Sequence, residues 1–351
     1  MRARTSLLCL LLLTALLPAG TRADQAGLRC VDVTFPVTLA PGDTTPYSVY
    51  GVLCARGGIQ QKTLQIALHG ATYSHLYWDW PFQPERYSYM LRSTAANYAM
   101  LNLDRIGIGR SSHPPAEAVD VDANAFVIHQ VVQAVRGGER SVPVFGRLRA
   151  SRIALVGHSL GSLVAMTEAA TYGDVDGVVL TGISHTVTAR LSEVQAYPAN
   201  QDPRFAGQNL PDGYLTTVPG TRGIFYEEPF FDPRVKAFDE KKKETVTIAE
   251  LNTGVPALSL TPGIHVPVLL VVGDLDGAFC NPPSCTASGS LSVEPDSFAP
   301  DACLETKAIP KSGHDLNLHY DAPTTFTLIL DWMDRRVGRN PNAAPPRPCH
   351  P

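Results

Sequence analysis

The sequence predicts an α/β fold in which helices flank a mostly parallel β-sheet. Three observations indicate this fold. Strand-like apolar runs alternate with helix-like runs over most of the 351 residues, as in sheets with helical crossover connections. One strand–helix junction carries a G-x-S-x-G motif at residues 157–161. The stretch 184–264 breaks the alternation, so an insertion with its own structure is expected there.

The individual elements follow from the spacing of apolar residues. Runs rich in Val, Ile and Leu predict strands at 31–39, 47–55, 64–68, 98–103, 152–157, 177–182, 267–273 and 305–309. Helical spacing predicts helices near 84–96, 122–136, 160–172 and 322–336. The 122–136 helix is expected despite its β-branched residues, because Val127, Val131 and Ala134 have roughly helical spacing.

The motif at 157–161 reads G-H-S-L-G and lies between the apolar run 153–156 and the helix-like run 163–170. A sharp turn between a strand and a helix exposes the serine hydroxyl, and small residues two positions either side allow close packing. The helix N-terminus then presents free N–H groups and a positive dipole end to a developing oxyanion. Ser159 is therefore the predicted nucleophile.

A serine hydroxyl needs a histidine to accept its proton and a carboxylate to orient that histidine. In this kind of sheet the acid and then the histidine follow the serine along the chain. The apolar run 266–272 ends in a turn with Asp274 and Asp276, and the run 306–310 leads to His314. We predict His314 as the base and prefer Asp276 as the acid, because it is the third residue after the strand-end glycine. Asp274 is the alternative, and its other role is to stabilise the turn.

Two backbone N–H groups are expected to form the oxyanion hole. One belongs to Leu160, directly after the serine. The other is assigned to Ala71, because the strand-like run 64–68 is followed by His-Gly-Ala at 69–71. His69 itself is expected to be structural and to hydrogen-bond the loop.

These motifs resemble those of the α/β-hydrolase superfamily. Residues 103–111, which read L-D-R-I-G-I-G-R-S, are also similar to the family's D-x-x-G-x-G-x-S loop after the fourth strand. The resemblance spans most of the mature chain and implies an α/β-hydrolase fold with a helical cap between strands six and seven. It is closest to secreted serine esterases and lipases, but the motifs do not specify one substrate, because one fold hosts many functions.

The domain organisation follows from changes in composition. The predicted segments are a signal peptide (1–23), the first part of the core (24–183), a proline-rich cap or lid insertion (184–264), the second part of the core (265–338) and a Pro-rich tail (339–351). Aromatic clusters at 225–231 and 73–82 are each expected either to line the substrate site or to pack locally. For any individual residue in the insertion, local packing is preferred.

Residues 1–23 have the features of a secretory signal peptide. Arg2 and Arg4 precede an apolar stretch at 7–17, and 21–23 is a cleavage pattern of the small-residue type. The apolar stretch is too short to span a membrane. The protein is therefore expected to be secreted, without stable membrane insertion.

The cysteines support a disulfide-bonded chain. Six of the seven lie outside the signal peptide, at Cys30, Cys54, Cys280, Cys285, Cys303 and Cys349, and an even number in a secreted chain suggests up to three disulfides. Cys30 and Cys54 are paired here because they flank two short strand-like runs. The other four are expected to brace the loops that carry the acid and the base.

Composition excludes some partners. The net charge is −4 and the pI is about 6.2, so no basic surface for nucleic acid is expected. The cysteines lack paired C-x-x-C spacing, which argues against a metal site. The triad chemistry needs no cofactor, and none is predicted.

The expected function is that of a secreted serine hydrolase, which cleaves a small-molecule or lipid-like carboxylic ester or lactone through an acyl-enzyme. Related acyl chemistry stays open: a proline-iminopeptidase-like peptidase, a thioesterase, a perhydrolase or a C–C hydrolase. From another class, a catalytically silent binding module of the same fold is the alternative. The substrate and the oligomeric state are not predicted.

Overall fold

The computed structural model describes residues 27–138, 140–281 and 285–343. The predicted signal peptide at 1–23, most of the predicted tail at 339–351, and Cys349 lie outside the described residues. Within the described part, no helix is both long enough and apolar enough to cross a membrane.

The predicted strands are all present. In chain order the described residues form β1 (Leu28–Val37), β2 (Tyr47–Arg56), β3 (Leu64–Leu68), β4 (Ala99–Leu103), β5 (Ser141–Val142), β6 (Gly146–Arg147), β7 (Ile153–His158), β8 (Gly177–Thr181), β9 (Ala196–Pro198), β10 (Tyr214–Thr217), β11 (Val246–Thr247), β12 (Val268–Gly273) and β13 (Glu305–Ile309). Each of the eight predicted runs corresponds to one strand of the main sheet.

The main sheet has the order β1-β2-β4-β3-β7-β8-β12-β13. The pairs β1–β2 and β2–β4 are antiparallel, and the other pairs are parallel. The predicted mostly parallel sheet is thus confirmed. Because β3 and β7 are neighbours, with Leu68 opposite Gly157, the loops that follow their carboxyl ends meet at one edge of the sheet, where ligands bind in open α/β sheets.

The helices are α1 (Pro84–Tyr87), α2 (Tyr89–Ala95), α3 (Val121–Gly137), α4 (Leu160–Tyr172), α5 (Pro233–Lys242), α6 (Ile248–Gly254), α7 (Glu294–Ser297) and α8 (Ala322–Arg336). The helix predicted near 84–96 is divided in two. Ser88 between α1 and α2 has an extended backbone, and its hydroxyl accepts a hydrogen bond from the Leu91 amide at 3.1 Å. Ser88 is therefore the N-cap of α2.

The sheet has an apolar core on each face. Leu155 of β7 belongs to the cluster that includes Val127 of α3 and Leu163 of α4. Its neighbour Val156 belongs to the opposite cluster, which includes Ile329 of α8. Successive side chains of a strand point to opposite faces, so a buried central strand must be apolar at both. This is why β7 appears in the sequence as a continuous apolar run.

The predicted insertion, the 184–264 segment, lies between β8 and β12. It contains the antiparallel sheet β11-β10-β9, the helices α5 and α6, and several 3₁₀ turns. The family resemblance implied a helical cap here, and the small sheet was not predicted. Its strands have three, four and two residues, which is too short for an alternating pattern to be recognised.

Two disulfides lie within the described residues. Cys30 and Cys54 are opposite each other on β1 and β2 and are bonded, which confirms the predicted pair. The second joins Cys280 and Cys285. It lies within the loop after Asp276 and does not itself connect that loop to the one with His314.

Candidate active site

The turn at 157–161 has the geometry of a nucleophile elbow. Ser159 has φ 51° and ψ −121°, a conformation that is strained for a residue with a Cβ and is found at functional turns. The flanking glycines are required by space. A Cβ on Gly157 would lie 2.6 Å from the Ser162 amide nitrogen, and one on Gly161 would lie 2.5 Å from the His69 carbonyl oxygen.

The three predicted side chains meet in a hydrogen-bonded line. Ser159 Oγ lies 2.9 Å from His314 Nε2, and His314 Nδ1 lies 2.9 Å from Asp276 Oδ2. The other oxygen of Asp276 accepts hydrogen bonds from the amides of Ala278 at 2.9 Å and Phe279 at 3.2 Å. The carboxylate is thus held from both sides, with one oxygen available to orient the imidazole.

Asp274 does not reach the histidine in this arrangement. Its Oδ1 lies 3.4 Å from the amide nitrogen of Ser312, so it joins the two loops that carry Asp276 and His314. This matches the turn-stabilising role considered for Asp274 in the sequence, and the geometry favours Asp276 as the acid.

The environment shifts the pKa of both titratable partners. Burial alone would raise the pKa of Asp276, but His314 and the Ala278 and Phe279 amides lower it below the ordinary value of 3.8. Burial alone would lower the pKa of His314, but Asp276 and, to a lesser degree, Asp315 raise it above 6.5. Each partner therefore favours the charged form of the other.

The two predicted oxyanion donors lie on the same cavity as Ser159. Leu160 is the first residue of α4, where helix amides have no intrahelical acceptor. Ala71 follows Gly70, at which a Cβ would lie 3.2 Å from the Ser159 Cβ. The absence of a side chain at Gly70 thus lets this loop approach Ser159 closely.

His69 is hydrogen-bonded within the loop after β3, the predicted oxyanion loop. It is fully buried, its Nδ1 lies 2.9 Å from the Gly70 carbonyl oxygen, and its Nε2 accepts from the Arg105 amide at 3.1 Å. Burial lowers the pKa of His69 to about 3. His69 is therefore neutral and is a structural residue of the loop.

The family-like loop at 103–111 is tied to the same region. Asp104 Oδ1 accepts from the His75 amide at 2.9 Å and lies 2.7 Å from His75 Nδ1, and Asp104 Oδ2 accepts from the Arg110 amide at 3.0 Å. The buried guanidinium of Arg105 contacts the Glu250 carboxylate of the 184–264 segment. The His75–Asp104 contacts thus connect the loops after β3 and β4, and the Arg105–Glu250 contact connects the loop after β4 to the segment.

A cavity of about 250 Å³ opens at Ser159 and His314. Its walls are mainly apolar and come from α4, from the loop after Asp276 and from the 184–264 segment, with Leu160, Leu163, Leu191, Val194, Ile224, Phe225, Val246, Leu251, Val255 and Phe279 among the lining residues. The segment therefore contributes a large part of the wall of the site.

The aromatic clusters divide between wall and core. Of the 73–82 cluster, Tyr73 lines the cavity, whereas Trp78 and Trp80 are core side chains with at most 1% exposure. Of the 225–231 cluster, Phe225 lines the cavity, whereas Phe231 packs in the core. Local packing thus accounts for several of these residues, and one residue from each cluster reaches the site.

One group of side chains has the composition of a metal site. His129, Glu168 and Asp174 each place a potential ligand atom within 4.8 Å of the others, away from Ser159. Burial, together with Asp174, raises the pKa of Glu168 to about 10. A protonated Glu168 beside Asp174 explains how two carboxyl groups meet here.

Sequence reasoning missed the polar residues that surround the three catalytic candidates. Asp315 and His158 flank His314 and Ser159 in the chain and contact each other at 3.1 Å. Arg222 and Asp239, from the 184–264 segment, form an ion pair that is only 1% exposed. Asp315 and His158 could have been found from the sequence, because each is next to a predicted site residue in the chain. No sequence pattern marked Arg222 or Asp239.

A sequence model of the alpha/beta hydrolase family matches residues 66–326, from β3 into α8. The chain belongs to the α/β-hydrolase family. This α/β-hydrolase has no match among the curated proteins.

Solved structures share the fold of this α/β-hydrolase. The α/β-hydrolase GrgF from Penicillium sp. sh18 has a TM-score of 0.56 at 16% identity, over 88% of this chain and 99% of its own. A putative aryl esterase from Burkholderia cenocepacia has a TM-score of 0.54 at 18% identity, and the match covers 86% of this chain and 98% of the esterase. A monoacylglycerol lipase from Paleococcus ferrophilus has a TM-score of 0.52 at 15% identity, and the match covers 81% of this chain and 98% of the lipase. At these identities the similarity establishes the fold.

Proposed function

We propose that this α/β-hydrolase is a serine hydrolase that cleaves a carboxylic ester or lactone with an apolar acyl group. The observation that carries the proposal is the line of 2.9 Å contacts from Ser159 through His314 to Asp276, with Ser159 and His314 lining an apolar cavity. Hydroxyl, imidazole and carboxylate in this order are the constellation of serine hydrolases on several unrelated folds.

In the first half of the reaction, Ser159 Oγ attacks the substrate carbonyl carbon, and His314 Nε2 takes the hydroxyl proton. Asp276 stabilises the imidazolium that forms. The Leu160 and Ala71 amides stabilise the oxyanion, an effect worth about 3–4 kcal/mol per donor in a comparable enzyme. When the tetrahedral intermediate collapses, the alkoxide leaves with the proton from His314, and the acyl group stays on Ser159.

In the second half, water attacks the acyl carbon while His314 accepts one of its protons. The new tetrahedral intermediate collapses, the proton returns to Ser159 Oγ, and the carboxylic acid is released. Both halves use the same oxyanion donors and the same imidazole, so one arrangement of side chains serves the whole cycle.

The cavity favours an ester over a substrate with a free amine. An aminopeptidase site of this type needs a carboxylate for the substrate's ammonium group. Among the described lining residues, Glu250 carries a carboxylate, but that carboxylate is bonded to Arg105 and to the Thr247 amide. A volume of about 250 Å³ lies just below the usual range of drug-sized sites, so a short or medium acyl chain of about C4–C8 is expected.

The test is hydrolysis of p-nitrophenyl esters from C2 to C16 by the wild type and by Ser159→Ala. Removal of the nucleophile is expected to lower kcat by about 10⁴–10⁶-fold, with an unchanged melting temperature, and His314→Ala is expected to behave alike. Ser162→Ala is a matched control in the same helix. Its hydroxyl bonds the backbone of Thr181 at 2.9 and 3.0 Å, so it should keep kcat within about threefold.

Full activity in folded Ser159→Ala would refute the assignment of the nucleophile. Labelling by a fluorophosphonate distinguishes an enzyme from a silent binding module, because the reagent reacts with an activated serine. Folded wild-type protein that neither turns over these esters nor forms an adduct at Ser159 would favour the binding module.

We also propose that the protein is secreted and that the 184–264 segment is a cap over the site. The signal-like sequence at 1–23 and the two disulfides support secretion, because disulfides persist in oxidising compartments. The segment's share of the cavity wall supports its role as a cap. Mass spectrometry of the protein from culture medium is expected to give an N-terminus near residue 24.

A further inference from the structure

A buried network of charged and hydroxyl side chains joins the 184–264 segment to the loops that carry the candidate catalytic groups. It begins at Arg222, which forms a bidentate ion pair with Asp239, with Nε–Oδ2 at 2.7 Å and Nη2–Oδ1 at 2.8 Å. Both side chains are 1% exposed. Burial of two charges is costly unless further hydrogen bonds satisfy them, and here these bonds reach the active site.

The first set of bonds reaches the oxyanion loop. Arg222 Nη1 donates to Thr72 Oγ1 at 2.8 Å. The Thr72 amide donates to the Thr245 carbonyl oxygen at 3.2 Å, and its carbonyl oxygen accepts from the Glu244 amide at 2.8 Å. Thr72 has φ +60°, which is unusual for a β-branched residue, so its surroundings must hold it there. The residue directly after Ala71 is thus fixed by the 184–264 segment.

The second set passes through Tyr73. The Tyr73 hydroxyl lies between two carboxyl groups, 3.1 Å from Asp239 Oδ2 and 2.5 Å from Asp315 Oδ2. All three side chains are buried. Burial raises the pKa of Asp239 and of Asp315, while Arg222 opposes the rise at both groups. The hydroxyl is therefore the direct link between a carboxyl group of the segment and one of the core.

Asp315 then links these contacts to the residues next to Ser159 and His314 in the chain. It is the residue after His314, and its Oδ1 lies 3.1 Å from Nε2 of His158, the residue before Ser159. Its other oxygen contacts the Tyr73 hydroxyl. The Asp315 side chain, which follows His314 in the chain, therefore contacts both the oxyanion loop, through Tyr73, and the nucleophile elbow, through His158. The Asp315 amide also donates to the Phe225 carbonyl oxygen of the segment at 3.0 Å.

We propose that Arg222, Asp239, Tyr73 and Asp315, named here the positioning network, set the relative positions of the nucleophile, the base and the Ala71 amide. The inference rests on the proposed serine chemistry. The four side chains act through the groups that they hold, so the 184–264 segment determines catalytic geometry as well as the shape of the cavity. A displacement of about 1 Å between reacting groups costs about 10²-fold in rate.

The decisive variant is Tyr73→Phe, which removes the linking hydroxyl and keeps both the ring and the Arg222–Asp239 ion pair. Its matched control is Tyr89→Phe, the same change at a buried tyrosine of α2 whose hydroxyl donates to Gln65 Oε1 at 2.7 Å. Tyr73→Phe is expected to lower kcat for p-nitrophenyl esters about tenfold, with KM within about twofold. Tyr89→Phe is expected to lower the melting temperature and to keep kcat and KM.

Asp239→Asn provides a second, independent variant. It weakens the bidentate pair with Arg222 as well as the contact with the Tyr73 hydroxyl. Because the two changes share that hydroxyl, the loss of kcat in the double variant with Tyr73→Phe is expected to be smaller than the product of the two single losses. The rate of fluorophosphonate labelling at Ser159 should fall in parallel, because it reports the activated serine directly. Should one variant fail to fold, the other decides by the same criteria.

Two results would overturn the positioning network alone. One is a folded Tyr73→Phe with the kinetics of Tyr89→Phe, and the other is a raised KM with unchanged kcat, which would assign Tyr73 to binding. A different result, in which folded wild type shows neither ester turnover nor labelling, would overturn the proposed function and this inference with it. The wild-type measurement therefore separates the two failures.

Discussion

The sheet core and the 184–264 segment build one site by different physical means. In the core, β7 and α4 place Ser159 by apolar burial, and Leu155, Val156 and Leu163 lie in tightly packed clusters on the two faces of the sheet. The segment has short strands and 3₁₀ turns. Some of its apolar side chains, such as Phe231, pack in the core clusters. It is also joined to the core by buried polar contacts, among them the Arg222 bond to Thr72.

The difference matters because the two kinds of contact respond differently to substitution. Apolar packing is non-directional and scales with buried area. Its loss is therefore expected chiefly to lower the free energy of unfolding. Charge-assisted hydrogen bonds fix distances and angles. Their loss is therefore expected chiefly to lower kcat. Each of the following predictions tests this division, starting with the largest expected effect.

The largest effect is expected within the core, at Asp276, the proposed acid. Asp276→Asn keeps the shape of the side chain but no longer favours the tautomer of His314 that can accept a proton from Ser159. We expect kcat to fall by about 10⁴-fold, measured with the preferred p-nitrophenyl ester. Asp274→Asn is the matched control, two residues away in the same turn, and should stay within about tenfold of wild type. A reversed order would assign the acid to Asp274.

An intermediate effect distinguishes two lining residues. Leu163 of α4 is 3% exposed, and Leu163→Ala is expected to lower the free energy of unfolding by about 2–4 kcal/mol. Ile224 of the 184–264 segment is only half-buried, and Ile224→Ala should cost about 1 kcal/mol or less. Both changes enlarge the cavity, so both should move the ester optimum to longer chains.

Urea unfolding and the ester series measure the two quantities separately. If Ile224→Ala destabilised the protein as much as Leu163→Ala, the division between a packed core and a bonded segment would be wrong. If neither variant moved the chain-length optimum, the cavity would not be the acyl site.

The smallest effect concerns pH. His314 must be neutral to accept the serine proton, so kcat/KM is expected to rise with pH through the pKa of His314, which Asp276 and Asp315 raise above 6.5. Asp315→Asn removes one of these negative charges and should move the acid limb to lower pH. The shift is expected to be small, because burial raises the pKa of Asp315 itself and so favours its uncharged form.

Within the described part of the chain, the charged and titratable groups that interact with His314 are Asp276, Asp315, His319 and His158. The ring centroid of His158 lies 5.0 Å from that of His314, and burial lowers the pKa of His319. Burial and His314 lower the pKa of His158 well below 6.5, so it does not contribute a second limb. Asp274→Asn is again the control and should leave the limb in place. Movement of the limb to higher pH in Asp315→Asn would contradict the role given to that charge.

Much of the site was predictable because its signals are local or ordered along the chain. The elbow at Ser159 needs a strand, two glycines and a helix within a few residues, and all of them are visible in sequence. His314 and Asp276 followed from the order of the strands. The donors Leu160 and Ala71 followed from their positions next to the motifs, and their roles stay predictions until oxyanion stabilisation is measured.

The sequence by itself determined the strands of the sheet, the position of the elbow and the order of the proposed nucleophile, acid and base, because hydrophobic periodicity and turn chemistry act over short distances. Only the tertiary structure decided which side chains from the 184–264 segment meet the catalytic loops. Arg222 and Thr72 are 150 residues apart, and Tyr73 and Asp315 are 242 residues apart. A hydrogen bond between distant residues leaves no periodic pattern in either neighbourhood, so these contacts arise only when the chain has folded.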